Sequence, residues 1–311
     1  MSARPIAMMP AGRRASFLRR HCPAGICLPA AIVLLLAAAG LAAPWLTAHS
    51  PLDQDLLQLN KGPGAGFPLG TDHLGRDILS RLLYGARSTL AVSALGTVIA
   101  FAAGAGLGLL ALTLGHWAER ILFAAIDLIR ALPGTLLALL LIVGLGSGSG
   151  PLTIALGVSF VPVVAYVTRA AYHREAARDY VLAAASFGGN GLHILSRHIL
   201  PNIAGTLITQ AAIILPRCIV TESVLSFLGV GSSPDAPTWG RMIADSSRFI
   251  ERAPHAIMAP LVTLVLLTLS LSLLGNQLRR RFDPIRQETD VPGPAADPAP
   301  AAVRPVEAGG C

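Results

Sequence analysis

Ser88–Leu114, STLAVSALGTVIAFAAGAGLGLLALTL, runs for 27 residues without one charged side chain. A helix rises about 1.5 Å per residue, so roughly 20 apolar residues cross the ~30 Å hydrocarbon core of a bilayer. Backbone N–H and C=O groups find no water there and must be paired within a helix or a closed barrel. The length and composition therefore predict a membrane-crossing helix. Within it Ala100, Gly104 and Gly108 recur at four-residue spacing. Such a stripe of small residues lets another helix approach closely. No strand-turn-helix phosphate motif accompanies it, so it is a packing signal.

The rest of the chain extends that reading. Of 311 residues 53% are hydrophobic and 13% charged, about half the charged share of a soluble domain. Five further apolar segments stand out: about Cys27–Ala48; Ile121–Gly144, with Asp127 and Arg130 in its opening turns; Leu152–Val167; one beginning after Pro201 and interrupted at Pro216-Arg217; and Ala256–Leu274. The expected fold class is all-α, a polytopic membrane protein with six transmembrane helices. The net charge of +7 does not indicate nucleic-acid binding, because the arginines sit at the ends of apolar blocks rather than in one stripe.

Arginine placement sets the orientation. The N-terminal 26 residues hold Arg4, Arg13, Arg14, Arg19 and Arg20 without an acid, the loop 168–200 holds Arg169, Arg174, Arg178 and Arg197, and the last span is followed by Arg279, Arg280 and Arg281. Segments 49–87 and 229–255 balance bases with acids. The positive-inside rule then puts both termini and the 168–200 loop in the cytoplasm. The expected organisation is a cytoplasmic tail (1–26), a first span with an outer segment (27–87), a core of five spans (88–278) and a largely disordered Pro/Ala-rich tail (279–311). Arg13-Arg14 resembles a twin-arginine signal, but the apolar run that follows is too long for a signal-peptide core, which favours an uncleaved span.

Catalytic signatures are missing. The chain has no GxxxxGK[ST], HExxH, GxSxG or SxxK, and its four cysteines show no metal-ligand spacing. His193 and His198, five apart, are expected on different helix faces rather than as a metal pair. What does stand out is YVLAAASFGGNGLHILSRHILPN (Tyr180–Asn202), a folded, basic elbow where a three-residue loop would join two spans. Two turns of small residues end at Gly188 and Gly189, which free a change of direction. Leu192, Leu195 and Ile199 recur at helical spacing, and Pro201 suits the first turn of the next span. The outcome is a helix-turn-helix on the membrane surface. It either docks a soluble partner or rests on lipid.

This elbow resembles the signature loop of permease subunits of bacterial ABC importers, EAA-xxx-G-x9-I-x-L-P. Ala183, Ala184, Gly188, Leu200 and Pro201 fall on the pattern, while Leu182 replaces its glutamate and His198 its isoleucine. Phe67–Leu90, TESVLSFLGVG (Thr221–Gly231), PTWGRMI (Pro237–Ile243) and GNQLRRRFDPIR (Gly275–Arg286) are similar to segments of the C-type subunit of dipeptide/oligopeptide/nickel permeases. The resemblance implies a type I ABC importer permease fold and a transporter subunit that is not an enzyme. It implies pairing with a second related permease, two ATPase subunits and an extracytoplasmic solute-binding protein, in the bacterial inner membrane. ATP and Mg would be bound by the ATPases, with no cofactor in this chain. Ala183, Ala184, Gly188, Gly189, His198, Leu200 and Pro201 would form the coupling surface. Di- or oligopeptide is the expected substrate, with nickel or a metal chelate as the alternative.

Other charged residues keep two readings each. Arg217 and Glu222 either line a translocation path or form an interfacial salt bridge at the end of the fifth span. Asp127 and Arg130, three apart, are expected to pair structurally. In the outer segment Asp72, Arg76 and Asp77 order a Gly-punctuated turn or touch the binding protein, and Trp239 is expected as an interfacial anchor.

Overall fold

The computed structural model describes residues 24–231, 233 and 235–282. In chain order it comprises α1 (Ala24–Leu41), the single turn α2 (Ala43–Leu46), α3 (Ile78–Leu114), α4 (His116–Arg130), α5 (Gly134–Leu145), α6 (Ser149–Ala176), α7 (Asp179–Ser186), α8 (Gly191–Ile194), a π-helical turn (Leu195–Ile199), α9 (Leu200–Phe227), α10 (Trp239–Ser247) and α11 (Pro254–Phe282). No β-strand occurs among the described residues; isolated bridges at Gly64–Phe67 and Thr71–Asp77 pin the segment before α3. Of the two expected tails only residues 24–26 and 279–282 are described, all of them helical; the rest lies outside the described residues.

Four of these helices are long and apolar enough to cross a membrane: α3, α6, α9 with the helical turns before it, and α11. The expected third span is not one straight helix, since α4 and α5 meet at 89° across a short break. Pro133 is the cause. It offers no N–H, disfavours a helical residue before it and is itself extended (φ −54°, ψ 133°), so α4 stops at Arg130 and α5 restarts at Gly134. Counted as one bent span, the pair makes five. Helix α1, apolar over Ile26–Leu41, is shorter than a full crossing, so six spans are not established among the described residues.

The interruption expected at Pro216-Arg217 does not occur either, because α9 continues through Pro216. Proline there withholds the N–H that would bond Ala212 O, and that carbonyl faces α11 where Gly275 has no side chain. A Cβ at Gly275 would stand 3.0 Å from it.

The bundle is built around α3 and α6, which run parallel: Gly96 meets Leu156, Gly104 meets Val161 and Val164, and Gly108 meets Ala165 and Thr168. A Cβ on Gly104 would lie 2.8 Å from Val161 O and 2.8 Å from Val164 Cβ, while Gly157 of α6 admits Ile99 of α3 in the same way. The small-residue stripe thus lets backbone touch backbone, which larger residues would forbid. Helix α5 covers one side of this pair through buried Ala138 and Ile142 against Leu152, Ala155 and Leu156, and α9 packs along the other, with α11 laid against α9.

At the start of α3 a charged knot fixes the connecting segment. Asp72 accepts from Leu74 N (2.9 Å), Arg76 N (3.0 Å) and Arg76 Nε (2.7 Å). Arg76 reaches Asp245 of α10 at 3.3 Å, and Arg81 lies within 3.8 Å of both aspartates. Asp77 caps α3 by accepting from Leu79 N and Ser80 N, each at 3.2 Å. All four residues on the α3 side are at least 96% buried. His73 stacks on Phe249 beside them, and burial above all holds its imidazole below the ordinary value. Trp239 is no interfacial anchor: it is fully buried and its indole donates to Leu82 O at 3.0 Å, because α10 packs inward onto α3, α9 and α11.

Two outcomes test this frame. Gly104→Val should lower the thermal unfolding midpoint in detergent by the equivalent of about 2 kcal/mol or more. Gly106→Val, whose Cβ would meet nothing within 4 Å, should stay near wild type. Asp72→Ala leaves two buried guanidinium groups short of a carboxylate and should cost about 3–5 kcal/mol in the same assay.

Candidate functional site

The elbow between α6 and α9 sits at the end of the bundle opposite the charged knot, where the parallel α3 and α6 finish. Its first arm, α7, carries Ala183 and Ala184. It closes with Phe187 N on Ala183 O (3.0 Å), Gly188 N on Ala185 O (3.0 Å) and Gly189 N on Ala184 O (3.1 Å). Gly188 adopts φ +83°, a left-handed value that a β-carbon disfavours, and a Cβ on Gly189 would press on Ala184 O at 2.8 Å. Asn190 then caps α8 by accepting from Leu192 N at 3.3 Å.

The second arm differs from expectation. It is not a separate surface helix that stops at Pro201. Instead α8, the π turn and α9 form one helical path from Gly191 to Phe227. The π turn absorbs the missing donor of Pro201: Leu200 N bonds Leu195 O, five residues back, and Asn202 Nδ2 donates to His198 O at 2.5 Å. The wider turn also brings the rings of His193 and His198 together (centroids 6.0 Å apart), although their spacing predicts separate faces. Among the described residues no three His, Cys, Asp or Glu side chains gather as a metal site.

A polar clamp holds the elbow to the bundle. Tyr180 of α7 donates to Glu175 Oε1 at the end of α6 (2.5 Å), Asn202 of α9 donates to the Tyr180 oxygen (2.9 Å), and Arg178 lies 3.6 Å from Glu175. Desolvation first, and then the neighbouring Glu175 carboxylate, raise the phenol pKa of Tyr180 above its ordinary value, so it remains a donor. Beneath the clamp Ala171, Val181, Ile199 and Ile203 form a buried apolar cluster. The elbow is therefore a fixed extension of α6 and α9.

Its outward surface carries exposed apolar side chains among polar ones such as Asn190, His193 and Arg197. Phe187 is 92% exposed at the tip, with Leu182 and Leu192 more than half exposed beside it. Ala183, Gly188, Leu200 and Pro201 are exposed around them, and Ala184, Gly189 and His198 are half-buried. The sequence reading missed Phe187 and the Glu175–Tyr180–Asn202 clamp. A lone aromatic residue between a run of alanines and a glycine pair was the available signal for the first. The second joins three elements and has no local signature.

The remaining candidates separate. Arg217 lines an open groove of about 790 Å³ between α6, α9 and α11. Glu222, five residues on and so about 140° around the helix, is fully buried on another face, where Ser226 (2.8 Å) and Ser223 (3.3 Å) donate to it. The two form no salt bridge among the described residues, and Glu222 does not line the groove. Asp127 and Arg130 do approach, at 3.9 Å, with Tyr166 donating to Asp127 at 2.6 Å.

The chain has identifiable relatives. The family described as "Binding-protein-dependent transport system inner membrane component" matches residues 96–286. The di/tripeptide transport system permease protein DppC of Pseudomonas aeruginosa is 37% identical over 258 residues, covering 81% of this chain and 85% of that protein. The glutathione transport system permease protein GsiD of Pectobacterium atrosepticum is 35% identical over 271 residues, covering 86% and 88%. A solved structure of the MetNI methionine ABC transporter in an inward-facing conformation shares the fold. Its TM-score is 0.55 at 20% identity, over 65% of this chain and 96% of that one. With a family match over more than half its length and relatives above 30% identity across four-fifths of it, the chain belongs to the binding-protein-dependent transport system inner membrane components, in the group of permease subunits that includes DppC and GsiD.

Proposed function

We propose that this chain is the C-type half of a heterodimeric permease that imports di- and oligopeptides through the bacterial inner membrane, driven by ATP hydrolysis in partner subunits. A second related permease completes the channel, two ATPases bind the elbows, and an extracytoplasmic binding protein delivers the solute. Both termini and the elbow face the cytoplasm, as arginine placement argues. ATP and Mg belong to the ATPases. The names of DppC and GsiD favour a peptide cargo over nickel or a metal chelate.

The observation that carries the reading is an exposed apolar tip on a rigid mount. Phe187, Leu182 and Leu192 lie on an elbow clamped to α6 and α9, and exposed apolar residues on such a mount mark an interaction surface, here read as the seat of the ATPase. When the ATPases close on ATP, they draw the two elbows of the heterodimer together. Because α7 is tied to α6 and the second arm is continuous with α9, that displacement enters the membrane as movement of whole helices. Alternating access follows when the two halves rock about their interface.

Phe187→Asp tests the docking step. The ring is 92% exposed, so its removal leaves the fold of this chain intact. Burying a phenylalanine in an interface is worth about 1.5–3 kcal/mol, so the variant should weaken ATPase association tenfold or more. Labelled-dipeptide uptake should fall accordingly, with unchanged amounts of the chain in the membrane. Wild-type uptake and normal co-purification of the ATPases would contradict the assignment.

A further inference from the structure

Among the described residues, Arg217 is a charge inside a membrane-crossing helix to which no side chain of this chain is paired. It lies ten residues before the end of α9, about 15 Å inside a membrane-crossing helix. Ionisable groups at such depth are costly and face a partner or a water-filled cavity. Its side chain is exposed to the groove of about 790 Å³ between α6, α9 and α11. No carboxylate answers it. The acids of these three helices are Glu175, engaged at the far end of α6 by Tyr180 and Arg178, and Glu222, buried on another face of α9; α11 has none. Among the described residues Arg217 has no side-chain hydrogen bond or ion pair.

The other polar groups of the groove narrow its chemistry. Thr221 and Thr268 spend their hydroxyl protons on the carbonyls of Arg217 and Leu264, at 2.9 and 2.8 Å. The donors left for a ligand are the guanidinium of Arg217, the hydroxyl of Ser272 and the amide of Asn276, on the facing sides of α9 and α11. Ser272 and Asn276 are one helical turn apart, so both present to the same side of α11. One fixed cation, two neutral donors and no anion make a site for a carboxylate, which a guanidinium binds with two parallel hydrogen bonds.

We infer that Arg217, with Ser272 and Asn276 opposite it, is a specificity-determining station in the groove that binds the carboxylate of the passing solute. The inference rests on the permease reading and adds a chemical class to it: the cargo carries a free carboxylate, such as a peptide C-terminus. The station discriminates after the binding protein has released its load. It also accounts for a charge placed deep in a span, since the arginine is neutralised during each passage and hydrated in the open groove between passages.

The test uses the complete transporter in proteoliposomes: this chain, its related permease, both ATPases and the binding protein loaded with Ala-Ala. In Arg217→Gln, uptake of Ala-Ala should fall tenfold or more while binding-protein-stimulated ATP hydrolysis stays within twofold of wild type. Arg217→Lys should retain at least a third of the uptake. Ala-Ala amide, offered the same way, should lose less than twofold on Arg217→Gln. Unchanged uptake in Arg217→Gln would overturn the inference. So would a parallel loss of uptake and hydrolysis, or of both substrates alike, because either would assign Arg217 to a carboxylate of the partner permease or to the fold. Wild-type vesicles that take up no peptide would instead reject the permease reading itself, and this inference with it.

Discussion

The close contact of α3 with α6 is the constraint on which the rest of the structure depends. Gly96, Gly104 and Gly108 bring the two backbones so near that Val161 O would stand within 3 Å of any β-carbon at Gly104. In a bilayer there is no hydrophobic drive between apolar helices, and what holds them is the density of van der Waals contact. Once α3 and α6 are fixed as a parallel pair, α5 can only lie along one flank and α9 with α11 along the other. The groove and the elbow then both hang from α6. Its middle supplies Phe160 to the groove, its last turn supplies Glu175 to the elbow clamp, and its first turn is held to Gly231 by Gly148 N.

This arrangement explains why the elbow is more than a loop. Transmitting force across a membrane requires that the point of contact be stiff and that its two ends be continuous with spans. The clamp of Tyr180, Glu175 and Asn202 gives the stiffness on the α6 side. The π turn gives continuity on the α9 side, by carrying the helix past Pro201 where a proline would otherwise end it. The charged knot at the other end of α3 has the complementary effect. It locks the segment before α3 to α10 through Asp72, Arg76 and Asp245, so that end moves as a unit too.

Much of this was legible in the sequence. The charge-free run at Ser88–Leu114 announced the bilayer, the four-residue stripe announced a tight helix pair, and the elbow residues carried the family pattern. What escaped was everything decided by proline in context. Pro133 breaks a segment that length and hydropathy would join into one span, whereas α9 runs on through Pro216, with Gly275 leaving room beside the carbonyl that proline frees. Pro201 does sit in the first turn of α9, but the π turn before it makes that helix continuous with the elbow's second arm. Trp239 also depends on context: indole suits either an interface or a core, and the packing of α10 puts it in the core. Arg217 and Glu222 are close in sequence, yet five residues on a helix points the two side chains about 140° apart.

The most direct test of the account asks which side of the membrane Phe187 faces and what covers it. A Phe187→Cys variant with the native cysteines Cys22, Cys27, Cys218 and Cys311 replaced would be treated with a membrane-impermeant maleimide. Both inside-out and right-side-out vesicles would be labelled, with and without the ATPases. The account predicts labelling only in inside-out vesicles, and strong protection when the ATPases are bound. Labelling from the extracytoplasmic face, or equal labelling with the ATPases present, would contradict the elbow as the coupling surface.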